Sequence, residues 1–152
     1  MDPSASLRTT FLLRLTGDVL GAVPGYALHV ETLPQLLQTL EELDIGWETV
    51  LRSRSWDVNN HEGVDLPPDT KPGRMPTTTE RTRLRSLIIG GSDKLEEWME
   101  QLDTAGEDFT LALERLGVQK GFDELFSRTL SELGSLEGSA TINDPNGMVG
   151  TC

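Results

Sequence analysis

The stretch "LPQLLQTLEELDIGWETVLRSRSWD", Leu33 to Asp57, decides the fold class. Placed on a helical wheel, Leu33, Leu36, Leu37, Leu40, Leu43, Trp47, Val50 and Leu51 share one face, as an amphipathic helix requires. Pro34 falls in the first turn, where its missing N–H is one that no helical carbonyl would have met. Thr32 stands where a cap is needed, so a helix is expected from about Thr32 to about Trp56. Ile45 and Trp56 lie nearly opposite the leucine face. They need a cover: either the following segment folds back over them, or a partner helix docks there with Trp56 as an aromatic anchor. Gly46 sits inside the helix, where it costs about 1 kcal/mol relative to alanine. It therefore points to a kink or a close helix approach.

Working outward, Leu7 to about Val23 forms a first helix that Ser4 or Ser6 can cap. Leu7, Phe11, Leu15, Val19 and Ala22 fall on one of its faces. Leu12, Leu13 and Leu20 widen that face until the helix is apolar nearly all round, the pattern of a central helix. Pro24-Gly25 stops it. On the other side, "DVNNHEGVDLPPDTKPGRMPT" (57–77) keeps no period and reads as a long Pro/Gly-rich loop. Thr77 with Glu80 three positions on fits a capping box, which opens a third helix. Leu84, Leu87, Ile88, Leu95, Trp98, Met99 and Leu102 hold one phase across Gly90-Gly91, so this helix is expected to continue to about Leu102, kinked at the glycines if anywhere.

A short helix from about Glu107 to Leu116 follows, ended by Gly117. A last one runs from about Gly121 to Leu136 and carries Phe122, Leu125, Phe126, Leu130 and Leu133. From Gly138 the sequence is rich in glycine, serine and Asn/Asp, as in a disordered tail. No alternating run of useful length suggests a strand. The expectation is an all-α protein of about five helices, an antiparallel bundle with the two longest helices as its spine and the 57–77 loop between them. Residues 4–136 form one domain and 137–152 a tail.

Composition narrows the function classes. The 152 residues suffice to bury a core without disulfides or metals. Twenty-five acidic residues against 13 basic ones give a net charge of -12, which repels nucleic acid and anionic membrane in bulk. The one cysteine, Cys152, excludes an internal disulfide and any multi-cysteine metal site. No run approaches the ~18 apolar residues needed to span a bilayer. Arg14 and Asp18 interrupt the apolar N-terminal stretch and no small-residue cleavage site follows, so a signal peptide is not expected. These features suit a cytoplasmic or nuclear protein, neither secreted nor transmembrane.

Catalytic and metal constellations find little support. His61, Glu62, Asp65 and Asp69 have metal-binding chemistry, but they lack both the two-histidine helix of zinc proteases and the oxygen spacing of calcium loops. His29 and His61 have no nucleophile beside them in sequence. The pairs Glu41-Glu42 and Glu96-Glu97 read as solvated acidic helix faces. No cofactor is expected. The run Arg81, Arg83, Arg85 is the one local basic patch, and Arg52 and Arg54 join it if the second helix ends beside the third helix's start. It suits a phosphate, nucleic-acid or acidic-peptide contact, or internal pairing with the chain's own excess of acid.

The sequence therefore points first to a non-enzymatic α-helical interaction or adaptor protein, a small subunit of an intracellular complex. Its partners are expected to be proteins, a second copy of the chain included. The candidate partner-binding residues are Ile45, Trp56, Arg81, Arg83 and Arg85. A small helical ligand-binding protein or enzyme, with a pocket served by His29, His61 or Arg81, is the second expectation. Nucleic-acid or phosphate contact through Arg81–Arg85 is the third.

Overall fold

The structure, a computed structural model, describes residues 3–71, 73–102 and 106–142. The described chain is mostly helical: α1 (Pro3–Ala22), α2 (Leu33–Leu51), α3 (Thr78–Met99), α4 (Phe109–Arg115), α5 (Gln119–Asp123) and α6 (Ser127–Ile142). A two-stranded sheet, β1 (Ser55–Asp57) with β2 (Glu62–Val64), interrupts the helices. Cys152 and the rest of 143–152 lie outside the described residues.

The capping box forms as expected. Thr77 Oγ1 accepts from the Glu80 N–H at 3.1 Å, and the Glu80 carboxylate accepts from the Thr77 N–H at 2.9 Å. Two donors that the first turn of α3 would leave orphaned are thereby satisfied. The helix runs without interruption through Gly90-Gly91. Thr32 behaves differently. Its hydroxyl donates to the His29 carbonyl at 2.7 Å, inside a 3-10 turn, and does not cap α2. Ser4 and Ser6 are within α1, not before it.

The heaviest packing joins helices that are not consecutive: α1 lies on α3 and α2 on α6, with lighter contacts of α1 on α2 and α3 on α6. The two longest elements of the sequence reading, α2 and α3, are thus not each other's main partners. Gly17 faces Leu87, and one turn on Leu20 faces Gly91, so α1 and α3 run in the same sense. Such a pair requires a return leg, which α2 supplies. The core gathers Leu13 and Leu20 of α1, Leu40, Trp47 and Val50 of α2, Leu84, Ile88 and Leu95 of α3, and Phe126 and Leu133 of the C-terminal part.

The buried side of α1 differs from the expected one. Ala5, Thr9, Leu13, Thr16 and Leu20 face inward, while Leu7, Phe11 and Leu15 face solvent. The reason lies in side-chain size. An α1 that is apolar on most sides has two candidate faces, and only the one with Ala5, Thr9, Thr16 and Gly17 lets α3 come close. Thr16 is no burden there. Its hydroxyl donates to the Leu12 carbonyl at 2.7 Å and accepts from the Trp47 indole N–H at 2.9 Å.

Three further boundaries differ from expectation. First, α2 stops at Leu51, and Ser53 with φ 53° turns the chain into β1, so Trp56 is a strand residue. Second, the 57–77 segment is not irregular at its start. It forms a hairpin in which Ser55 pairs with Val64, Trp56 with Gly63 and Asp57 with Glu62. Asp57 ties the turn, accepting from the Asn59 and Asn60 backbone N–H groups and from the Asn60 side chain. The Asn60 side-chain hydrogen bond, then those backbone bonds, hold the Asp57 carboxyl below its ordinary pKa. Third, the last helix is divided. Phe126, fully buried with φ 54°, separates α5 from α6, and its buried ring offsets the unfavourable backbone. α6 then continues through Gly138 to Ile142, where the sequence suggests a tail.

The glycines make a test of the packing. A β-carbon at Gly46 or Gly90 would meet nothing within 4 Å, whereas one at Gly91 would lie 2.6 Å from Leu20 Cδ1 and 2.9 Å from Leu20 Cβ. Gly46 therefore has no close-approach role. Gly46→Ala and Gly90→Ala are expected to stabilise by about 0.5–1 kcal/mol each through helix propensity. Gly91→Ala is expected to cost about 1–3 kcal/mol by forcing α1 off α3. Urea unfolding midpoints check the series; a Gly91→Ala protein as stable as Gly90→Ala would contradict the α1–α3 contact.

Candidate interaction surface

The residues singled out from the sequence do not converge. Ile45 and Trp56 are both half-buried. The hairpin lies back against α2, with Gly63 so close to Thr49 that a β-carbon would be 2.3 Å from its hydroxyl oxygen. Trp56 is directly opposite Gly63 in the register, and residues directly opposite share a face of a sheet. The ring is thus on the side of the hairpin turned to α2. Thr49 fits this site because its hydroxyl bends back to the Ile45 carbonyl at 2.7 Å.

The arginine run divides. Arg81 donates to the Pro76 carbonyl at 2.8 Å and to the Thr78 hydroxyl at 3.3 Å, which fastens the entry to α3. Arg85 reaches both oxygens of Glu137 on α6, at 2.8 and 2.9 Å. Arg83 is exposed and has no hydrogen-bond or ion-pair partner among the described residues. Arg52 and Arg54 do not join the run. Arg52 binds Glu132 of α6, whose hydrogen bond and charge raise its pKa further above its ordinary value, and Arg54 meets Asp65 at 2.8 Å.

The polar loop carries no metal geometry. His61 Nδ1 is 3.8 Å from a Glu42 oxygen, and among the described residues no three of His, Cys, Asp and Glu converge. A cavity of about 440 Å³ lies between α3 and the α4–α6 region. Its floor includes Ile88, Met99 and Phe122 and its rim Asp93, Glu96 and Asp123; none of His29, His61 and Arg81 lines it.

A surface feature that the sequence assigned to the core is the outer side of α1. Leu7 is 69% exposed, Phe11 66% and Leu15 36%. At spacings of four they form one stripe along the helix. Arg14 stands beside it, paired loosely with Asp18 at 3.7 Å, both largely in solvent. Single exposed hydrophobics elsewhere, such as Val58 and Leu111, do not line up this way. The cue available beforehand was the second, small-residue face of the same helix. Two apolar faces on one helix leave one without a core.

No helix among the described residues is long and apolar enough to cross a membrane. Comparison with protein-family models, curated proteins and solved structures finds no match.

Proposed function

We propose that the protein is a non-enzymatic helical interaction protein, a small subunit or adaptor, which docks an apolar helix or groove of a protein partner on the outer face of α1. The observation that carries this reading is the exposed Leu7–Phe11–Leu15 stripe. The largest apolar patch that a monomer exposes is often its interaction site, and this aligned stripe is the candidate here. It is too small for an obligate interface, which needs roughly 800 Å² or more per partner, and it suits the anchor of a transient one. The chain's net charge of -12 disfavours an anionic membrane as the occupant. In this reading the helices form a bundle that holds α1 rigid while its back is seated on α3. Trp56, Arg81 and Arg85 serve the chain itself more than a partner, because Trp56 is on the hairpin side turned to α2, Arg81 binds the Pro76 carbonyl and Thr78, and Arg85 binds Glu137, while Ile45 is half-buried. Arg83 alone of the five is free to take part, and its isolation argues against a nucleic-acid surface there.

Phe11→Asp tests the reading. Affinity purification of the tagged chain is expected to retain partners that Phe11→Asp loses, with a fall in affinity of roughly 30-fold, the scale of an anchor residue. Val58→Asp, which removes an equally exposed apolar side chain on the hairpin turn, is expected to change nothing. Unchanged retention by Phe11→Asp, with its fold verified by circular dichroism, would sink the α1 surface.

A further inference from the structure

We infer that the cleft between the start of α1, the α2–β1 turn and the segment before α3 is a binding site for a small, multiply charged phosphate compound. Three separate pieces of chain contribute to it: the start of α1 (from Ser4 to Arg8), residues 53–55, and Leu66 with Thr70, Lys71, Gly73 and Arg74. Its volume is about 690 Å³, within the range of small-ligand pockets. Arg8, Arg54, Lys71 and Arg74 line it. These are four of the chain's 13 basic residues. Among the described residues, no acidic side chain is one of its lining groups.

Outside the cleft most arginines meet carboxylates: Arg52 meets Glu132, Arg85 Glu137, Arg115 Glu107, and Arg128 Glu41, Asp44 and Glu48. Arg81 is held by a carbonyl and a hydroxyl, and Arg83 stands alone among the described residues. In the cleft only Arg54 has an ion partner, Asp65, whose side chain is 83% exposed. Arg8, Lys71 and Arg74 have no hydrogen-bond or ion-pair partner among the described residues. Asp69 stands next to Thr70 in sequence, yet it does not line the cleft. In a chain with two acids for every base, three cations around one concavity have no partner among the described residues. An anion from solution would be attracted to that concentration of positive charge.

The donor set defines that anion. Guanidinium forks bind phosphate oxygens in two-pronged fashion, and Ser53, Ser55 and Thr70 are hydroxyl residues in the lining. Four cations suit a ligand of two to four negative charges, more than a lone carboxylate carries. The size and openness of the cleft suit a compact pyrophosphate-like or polyphosphorylated group. A long polyanion is disfavoured, because it would run out of the cleft onto a surface of the same sign. The segment lies close to α1 at Gly73. A β-carbon there would lie 3.7 Å from Ala5 Cβ and 3.9 Å from Arg8 Nη2, so the backbone of this segment rests on α1 beside the Arg8 guanidinium.

Titration calorimetry with sodium tripolyphosphate at about 0.1 M salt tests the site. The expected result is saturable binding with Kd of about 1 mM or tighter, weakening as salt rises. Lys71→Glu/Arg74→Glu is expected to weaken it by at least about tenfold, and Lys71→Gln/Arg74→Gln by less. Arg83→Glu, an exposed arginine outside the cleft, is expected to leave it unchanged. The proposal is overturned by an absence of binding, by equal weakening from Arg83→Glu, or by tighter binding of a 20-nucleotide single strand through Lys71 and Arg74. Sedimentation with phosphoinositide vesicles, without any binding of tripolyphosphate or soluble inositol trisphosphate, overturns it too. Phe11→Asp is expected to bind tripolyphosphate normally, so this test and that of the α1 surface fail separately.

Discussion

Trp47→Ala is expected to destabilise the protein by about 3–5 kcal/mol, enough to unfold a large part of a marginally stable population. Trp47 is 1% exposed in the C-terminal half of α2, and it is the largest of the fully buried side chains among the described residues. Its removal leaves a cavity between helices that are each held by their own further partners, so the space does not collapse. The indole also supplies a hydrogen bond to Thr16 Oγ1 at 2.9 Å, across the light α1–α2 contact. Trp47→Phe keeps much of the volume and loses that donor, with an expected cost of about 1–2 kcal/mol. Thr16→Val instead strands a buried indole N–H, at about 1–3 kcal/mol. The double variant Trp47→Phe/Thr16→Val removes both polar partners together. It is expected to be more stable than the sum of the single costs implies, by about 0.5–1.5 kcal/mol. Chemical denaturation followed by far-ultraviolet circular dichroism measures all four proteins. Strict additivity would show that the hydrogen bond contributes nothing beyond shape.

Asp44→Ala is expected to cost about 2–4 kcal/mol. Asp44 is 3% exposed on α2, an unusual place for a carboxylate, and its partners explain it. Oδ1 accepts from the Thr129 N–H at 2.8 Å and from the Thr129 hydroxyl at 2.7 Å, while Oδ2 accepts from the Arg128 N–H at 3.3 Å. Those N–H groups belong to the first turn of α6, which has no cap from its own sequence. Asp44 therefore caps α6 from another helix, and its charge meets the positive end of the α6 dipole. Arg128 adds a distant pairing at 3.7 Å, from a side chain 44% exposed, and that pairing is worth little. The expected ranking of costs is Asp44→Ala above Asp44→Asn, with Arg128→Ala smallest. Amide hydrogen exchange should show loss of protection at the start of α6 in Asp44→Ala and not in Arg128→Ala. An Asp44→Ala protein within 0.5 kcal/mol of the parent would refute the capping role.

Much of the helical framework was legible before the structure. The Thr77–Glu80 box, the phase of the α3 stripe across Gly90-Gly91, the Leu40–Trp47–Val50 face and the stop at Gly117 all follow from local rules, and local interactions decide them. What escaped was decided by partners remote in sequence. The orientation of α1 depends on Leu20 meeting Gly91, and periodicity on α1 alone cannot rank its two apolar faces. The hairpin rests on Gly63 fitting against Thr49, which a proline-rich segment does not advertise. The break at Phe126 needs a left-handed backbone at a bulky residue, stabilised by a core that the last helix cannot see in its own pattern. Asp44 reads as one more acid on an acidic helix until α6 is brought beside it. The cleft cations are spread from Arg8 to Arg74, so no window of sequence contains them, whereas the compact Arg81–Arg85 run drew the eye and is largely engaged within the fold.

The cap that α2 lends to α6 also bears on how the protein is made. Synthesis delivers Asp44 long before Arg128 and Thr129, and until they arrive the α2 surface holds a carboxylate with no donors at a place meant to be dry. A nascent chain lacking α6 can therefore seat α1 against α3 but cannot close α2, and its leucine face stays open to chaperones. The fold therefore closes only once α6 has emerged from the ribosome, and a chain cut short before α6 is expected to keep that leucine face exposed.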